Sequence, residues 1–441
     1  MSDITQLTSA ISSKNPAISI INGRLIDPGN RIDTQMDIHL QHGKIIALGK
    51  TPENFVAQQV IDASHQVVCP GLIDLRFHIK DPGYESKGSI SSETRAAVAG
   101  GVTALCCPPD TTPIIDNAAM VKLIRLKAET EGVAKVYTLS ALTQQLEGEK
   151  LSEMRKLKDA GCVGTTNALR PVKSTLVMRR ALEYAASHDI TVFIQAVEPW
   201  LSDGCAHEGA VSTRLGLAGI PVSAETIAIS RDLQLIELTG AKAHFCQLSS
   251  AKAVQLIKQA QQEGLPVTAD VTAHHLHLTE MDIGYFDSNC HVIPPLRTQR
   301  DQEALRQGLK SGIITNIVSD HQPLSSDAKL APFEETQAGI SGVETLLPLA
   351  LKMIELQEMS LSEVIERLTL QPAKILNISE GTLAIGADAD ICVFDPEAYW
   401  LVDRKKFLSQ GKNTPFHGWE LKGKVTHTIK SGQVVFATET L

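Results

Sequence analysis

Apolar and polar residues alternate along this chain in two rhythms. Near both ends they alternate residue by residue in short runs. AISIINGRLID, MDIHLQHGKIIALG and QVVCPG occupy the first stretch, GTLAIGADADICVFDP and KGKVTHTIKSGQVVFAT the last, and Asn-Gly, Pro-Gly and His-Gly pairs punctuate the N-terminal group. Alternation with a period of two predicts half-buried β-strands. The two strand-rich ends are therefore expected to meet as one small β-unit. Between them, over roughly 71–378, compact apolar runs alternate with helical stretches. The runs are GLIDLRF, VTALCC, KVYTL, CVGTT, TVFIQ, AHFCQ, PVTADV and IITNIVSD; the helical stretches include SISSETRAAVAGG, STLVMRRALEYAASH, SAETIAISRDLQLIELTGA and SAKAVQLIKQAQQEG. Eight strand candidates, each followed by helix-forming sequence, predict an α/β fold with a closed (β/α)₈ barrel, an open parallel sheet being the other arrangement. Ser89 or Ser92 is positioned to cap the helix ending at Gly100 and Gly101, and Ser249 or Ser250 the one ending at Gly264. In either architecture chemistry belongs at the C-terminal ends of the strands.

Composition narrows the partners more than the fold. With 441 residues, 43% hydrophobic and 21% charged, the chain can bury a large core. The 41 basic and 50 acidic residues give a net charge of -9 with both signs interspersed, so no basic stripe awaits a phosphate backbone and nucleic acid is not an expected partner. The polar, Ser-rich start from Met1 to Pro16 is read as a flexible tail. It lacks the basic and apolar regions of a signal peptide, and no apolar run approaches membrane-spanning length. A cytoplasmic protein without membrane contact is expected. Eight cysteines without a Cys-x-x-Cys pair read as buried thiols.

Several motifs carry a resemblance. Residues 70–117, PGLIDLRFHIKDPGYESKGSISSETRAAVAGGVTALCCPPDTTPIIDN, strongly resemble the start of the amidohydrolase barrel in class I dihydroorotases. HEGAVSTRLGLAGIPVSAET (207–226), PVTADVTAHHLHLTE (266–280), IPPLRT (293–298), VSDHQP (318–323), GISGVET (339–345) and GTLAIGADADICVFDP (381–396) look like the same family in the same order. The resemblance extends from about residue 18 to 437. It implies an amidohydrolase-type (β/α)₈ TIM barrel over 71–378 and a β-sandwich composed of 17–70 and 379–441.

Chemistry in that family requires a bound metal, usually zinc, that supplies hydroxide and polarises a cyclic amide carbonyl. Its first strand carries His-x-His, two rings on one strand face. Here the triplet is Arg76-Phe77-His78, which puts a permanent cation at one ligand position. Where the resemblance implies a ligating Asp after the CVGTT strand, the chain has Asn167; where it implies imidazoles after TVFIQ and AHFCQ, it has Ala196 and Gln247. A methyl group binds no metal and a carboxamide is a weak neutral zinc ligand. Asp320 matches the family's catalytic carboxylate and His78 its second first-strand ligand. His244 precedes Gln247 by three residues, an odd offset that sends it to the opposite face of a regular strand unless a bulge re-aims it. His274 and His275 match histidines outside the family's ligand set. The substrate side differs as well. Lys80 replaces a carboxylate-binding Arg, and Asp110 and Ile293 each replace an Asn.

Too few donors remain for a catalytic zinc, so no metal ligand, catalytic residue or cofactor is assigned. Without the metal charge, Asp320 needs another cation, and Arg76 is expected to pair with Asp320 or with Asp110. The resemblance then implies a non-catalytic dihydroorotase-like subunit, a pseudoenzyme in a homo- or hetero-oligomer. By resemblance its partner is aspartate carbamoyltransferase of pyrimidine biosynthesis. The alternative is an active cyclic-amide hydrolase of dihydroorotase or hydantoinase type. Its rearranged mononuclear zinc site would use His78, Asp320 and one of His244, His274 or His275.

Overall fold

The structure, a computed structural model, describes residues 16–438. The tail expected over 1–16 therefore lies, apart from Pro16, outside the described residues. All eight apolar runs of the middle form strands of one parallel sheet: Leu72–Asp74, Val102–Cys107, Lys135–Ala141, Gly164–Thr166, Val192–Gln195, Ala243–Cys246, Val267–Thr272 and Asn316–Val318, in sequential order. The chain beyond the first and eighth strands closes the ring, through a parallel bridge between Phe77 and His321 and a bond from His78 N–H to the His321 carbonyl at 2.9 Å. Helices cover the outside. The cap residues resolve to Ser89, in a reciprocal box with Ser92, and to Ser250. The barrel interior is filled by inward residues of successive strands, including Ile73, Leu75, Cys106, Leu139, Phe193 and Val318.

Strands from both ends of the chain share a six-stranded sheet, in which Val67–Pro70 pairs antiparallel with Ile391–Leu401 and parallel with Arg24–Asp27. A four-stranded sheet built from Ile18–Ile21, Ile38–Gln41, Lys44–Leu48 and Gln59–Asp62 packs with it around Ile20, Leu40, Val68, Ile391 and Ile429. Gly71 joins this unit to the first barrel strand. A Cβ there would meet the Thr103 side chain at 2.0 Å, so only glycine permits the approach. No helix among the described residues is long and apolar enough to cross a membrane.

Candidate functional site

Two neighbouring strand ends, tied together on the inside, build the centre of the barrel mouth. Asp74 accepts from the Ser319 backbone N–H at 3.1 Å and, by a very short bond, from the Ser319 hydroxyl. Four residues beyond Asp74 and two beyond Ser319, His78 meets His321 through the backbone bond that closes the ring, and the Phe77 ring lies 4.5 Å from the His321 ring. These ties leave Arg76 and Asp320 across from each other, both buried. Arg76 Nε stands 3.6 Å from Asp320 Oδ1, an ion pair too long for a direct hydrogen bond. None of the three guanidinium nitrogens has a hydrogen-bond partner within the described protein. His78 Nδ1 lies 2.8 Å from Asp110 Oδ2, while its Nε2 points toward Asp320 Oδ1 at 3.7 Å. Asp110 thus takes the histidine and Arg76 takes Asp320.

The charge pattern follows. Burial alone would push the Asp320 carboxyl up, but His78 and Arg76 outweigh it and hold the group below the usual carboxylate range. Desolvation of Asp110 is likewise overcome, chiefly by His78 with help from Lys80 and Arg76. Burial opposes the Arg76 charge, yet Asp320, Cys246, Asp110 and Asp270 together raise its pKa. Asp74 behaves differently: burial dominates and lifts it to about 7.

The other positions separate into three groups. Ala196, Gln247 and Ile293 line one inner cavity of about 140 Å3. Lys80, held at a φ of 67°, lines an outer cleft of about 490 Å3 with Asp110, Lys87 and Arg170. Asn167 has turned into a loop brace. Its side-chain oxygen accepts from the Thr143 hydroxyl at 2.7 Å, and its amide nitrogen donates to the Arg170 and Leu146 carbonyls at 2.8 and 3.3 Å.

His244 corrects the alternation argument. Its ring reaches Asp270 and lies tilted against Phe193, with 5.2 Å between ring centroids, among residues of the barrel interior. Gln247, just past the strand end, has a φ of 57°, so the strand's two-residue alternation does not extend to it. Both His244 nitrogens are engaged, Nδ1 with Thr268 Oγ1 at 2.7 Å and Nε2 with Asp270 Oδ2 at 2.8 Å. His275 is also engaged, through Thr272 and the Pro295 carbonyl. Burial lowers His274 to about 3 and His275 to about 4, so both rings are neutral near pH 7. His274 Nε2 has no hydrogen-bond partner among the described residues.

Sequence reasoning missed Asp74, Asp270, and the cluster in which Arg297 bonds His207, Ser249 and the Ile220 carbonyl. The only available signal for Asp270 was its even spacing from Thr268 and Thr272 along one strand.

A divalent metal fits the family's ligand positions poorly here, since they carry a guanidinium, a methyl group and neutral carboxamides. Among the described residues, the one group of three His, Cys, Asp or Glu donors within 4.8 Å of one another is His244, Cys246 and Asp270. Burial pushes the Cys246 thiol far up, which favours its protonated form over a ligating thiolate.

A closed parallel barrel with a terminal β-unit and chemistry grouped at its C-terminal mouth defines an amidohydrolase-type architecture. The model of the Amidohydrolase family matches residues 67–435, and the chain belongs to that family, whose members are commonly metal-dependent. It is 46% identical over 418 residues to a dihydroorotase-like protein of Pseudomonas aeruginosa, covering 95% of this chain and 99% of that one. To a dihydroorotase-like protein of Pseudomonas putida it is 47% identical over 423 residues, covering 96% and 100%. Among solved structures, L-hydantoinase from Arthrobacter aurescens superposes with a TM-score of 0.87 at 25% identity, covering 97% of each chain.

Proposed function

We propose that this chain is a non-catalytic dihydroorotase-like protein, a structural subunit that supports assembly and activity of aspartate carbamoyltransferase in the cytoplasm. The observation that carries this reading is the buried Arg76–Asp320 pair. The site carboxylate is neutralised from within by a fixed cation, where the family would place a metal ligand. A guanidinium so placed repels a dication and supplies no hydroxide. Four further positions point the same way: Ala196 and Ile293 make the mouth apolar, Gln247 leaves it a neutral amide, and Asn167 serves the loop. The barrel keeps its eight strands and its apolar interior without those ligands. Names of the Pseudomonas relatives agree with the dihydroorotase-like part of this reading. Co-expression with an aspartate carbamoyltransferase chain tests it. Native mass should show a stoichiometric complex, and transferase activity should fall when this chain is omitted. A transferase that is fully assembled and active alone contradicts the reading.

The alternative is a cyclic-amide hydrolase with a rearranged mononuclear site using His78, Asp320 and one recruited histidine; His244, Cys246 and Asp270, whose donor atoms lie within 4.8 Å of one another, are a different group that could hold its metal. Chelator-sensitive hydrolysis of dihydroorotate or a hydantoin, abolished by Cys246→Ala, would establish it.

A further inference from the structure

Two loops at the rim of the barrel expose large hydrophobic side chains. The segment after the seventh strand, 279–291, presents Met281, Tyr285 and Phe286 to solvent, and the segment after the eighth strand, 325–336, presents Leu330; Tyr285 is 100% exposed and Leu330 81%. The segments are bonded to each other. Ser288 Oγ donates to the Lys329 carbonyl at 2.7 Å, and Lys329 Nζ donates to the His291 carbonyl at 3.3 Å. Internal bonds fix the first segment: Asp282 accepts from the Thr279 N–H at 2.7 Å, the Ile283 carbonyl from the Asp287 N–H at 2.8 Å, and Asp287 from the Asn289 N–H at 3.0 Å. Phe286 is held at a φ of 67°, a left-handed conformation that is costly for a bulky side chain. Hydrophobic groups displayed outward on a bonded, strained loop form a pre-organised contact surface. Its charge is one-sided. Asp282, Asp287, Asp327, Glu334 and Glu335 are exposed on these segments, and their one Lys or Arg, Lys329, turns its ammonium inward to the His291 carbonyl. Lys87 reaches this side from another loop, bonded to Gln337 at 2.9 Å. Such a surface repels nucleic acid, an anionic bilayer and a second copy of itself. It fits a protein face with an apolar centre and a rim of Lys and Arg.

We propose that Met281, Tyr285, Phe286 and Leu330 form the face by which this chain grips its transferase partner, and that the partner meets them with an apolar recess rimmed by basic side chains. The proposal rests on the non-catalytic subunit reading above and assigns that subunit its docking surface. Surface plasmon resonance of the full chain against an aspartate carbamoyltransferase chain, at low and high salt, tests it. The unaltered chain should bind. Tyr285→Ser combined with Leu330→Ser should raise Kd about tenfold or more, as loss of central hydrophobic anchors does. Asp327→Lys combined with Glu335→Lys should slow association and flatten its salt dependence. Leu238→Ser, at a residue 62% exposed on the helix Val222–Thr239, is the control and should leave Kd unchanged. All five substituted side chains are exposed, and thermal melts establish that each variant is folded. A complex indifferent to both double variants, or weakened equally by Leu238→Ser, overturns the docking face and leaves the non-catalytic reading standing. Absence of any complex with the unaltered chain removes the face and the transferase-subunit reading together.

Discussion

Two buried polar clusters a few residues apart in this barrel are treated in opposite ways. In the first, Glu93 receives the His321 ring at 2.8 Å, the Ser409 hydroxyl at 2.7 Å and the Gln410 N–H at 3.0 Å. It thereby joins a helix, the eighth strand end and the C-terminal segment. Burial would raise Glu93, but His321 outweighs it and holds the carboxyl low. In the second, Arg76, His78, Gln247 and His274 leave buried nitrogens without hydrogen-bond partners. The contrast separates what holds the barrel from what once equipped its mouth. Satisfied networks fix the fold, and an unsatisfied one marks a place shaped for contents other than its present side chains.

The largest effect should come from breaking the satisfied cluster. Glu93→Ala leaves His321 and the Ser409 hydroxyl unpaired and should cost about 3–5 kcal/mol in urea unfolding; a loss below about 1 kcal/mol would mean that the cluster does not tie the fold together. Next, Arg76→Met leaves Asp320 with His78 and the Gln322 amide, neither of them a fixed cation. A loss of about 1–3 kcal/mol is expected, with Asp320→Asn in the same chain recovering part of it in a double-mutant cycle. Stabilisation by Arg76→Met would show that the guanidinium is not the internal counter-charge. A pH term comes from Asp74. Its pKa is raised to about 7, so the native form keeps a proton that the unfolded chain releases at its ordinary value of about 4. That contribution is complete below about pH 4 and lost as pH rises through about 7; Asp74→Asn should remove this slope, read from denaturation midpoints at both ends of the window. The exposed helical pair Arg125–Glu129, at 2.9 Å, is the baseline. Arg125→Ala should change stability by less than about 0.5 kcal/mol.

The eight barrel strands were legible because each is a compact apolar run set off by helix-forming sequence, and the shared terminal sheet because its strands alternate. Arg76, His78 and Asp320 were legible as members of one site because the motifs around them resemble those of the dihydroorotases. Which acid each base would face was not. That choice comes from the bonds Asp74–Ser319 and His78–His321, which join residues about 245 positions apart and leave no local pattern. His244 was misread for a related reason. A left-handed turn at Gln247 ends the alternation one residue after Cys246, and a non-glycine residue in that conformation carries no reliable sequence signal.

The claim that an internal cation has taken the metal's place is tested most directly by zinc stoichiometry together with dihydroorotate turnover on chain purified in the presence of zinc. The account predicts no stoichiometric zinc after desalting and no turnover in either direction. One zinc per chain, removed by a chelator together with measurable hydrolysis, would contradict it.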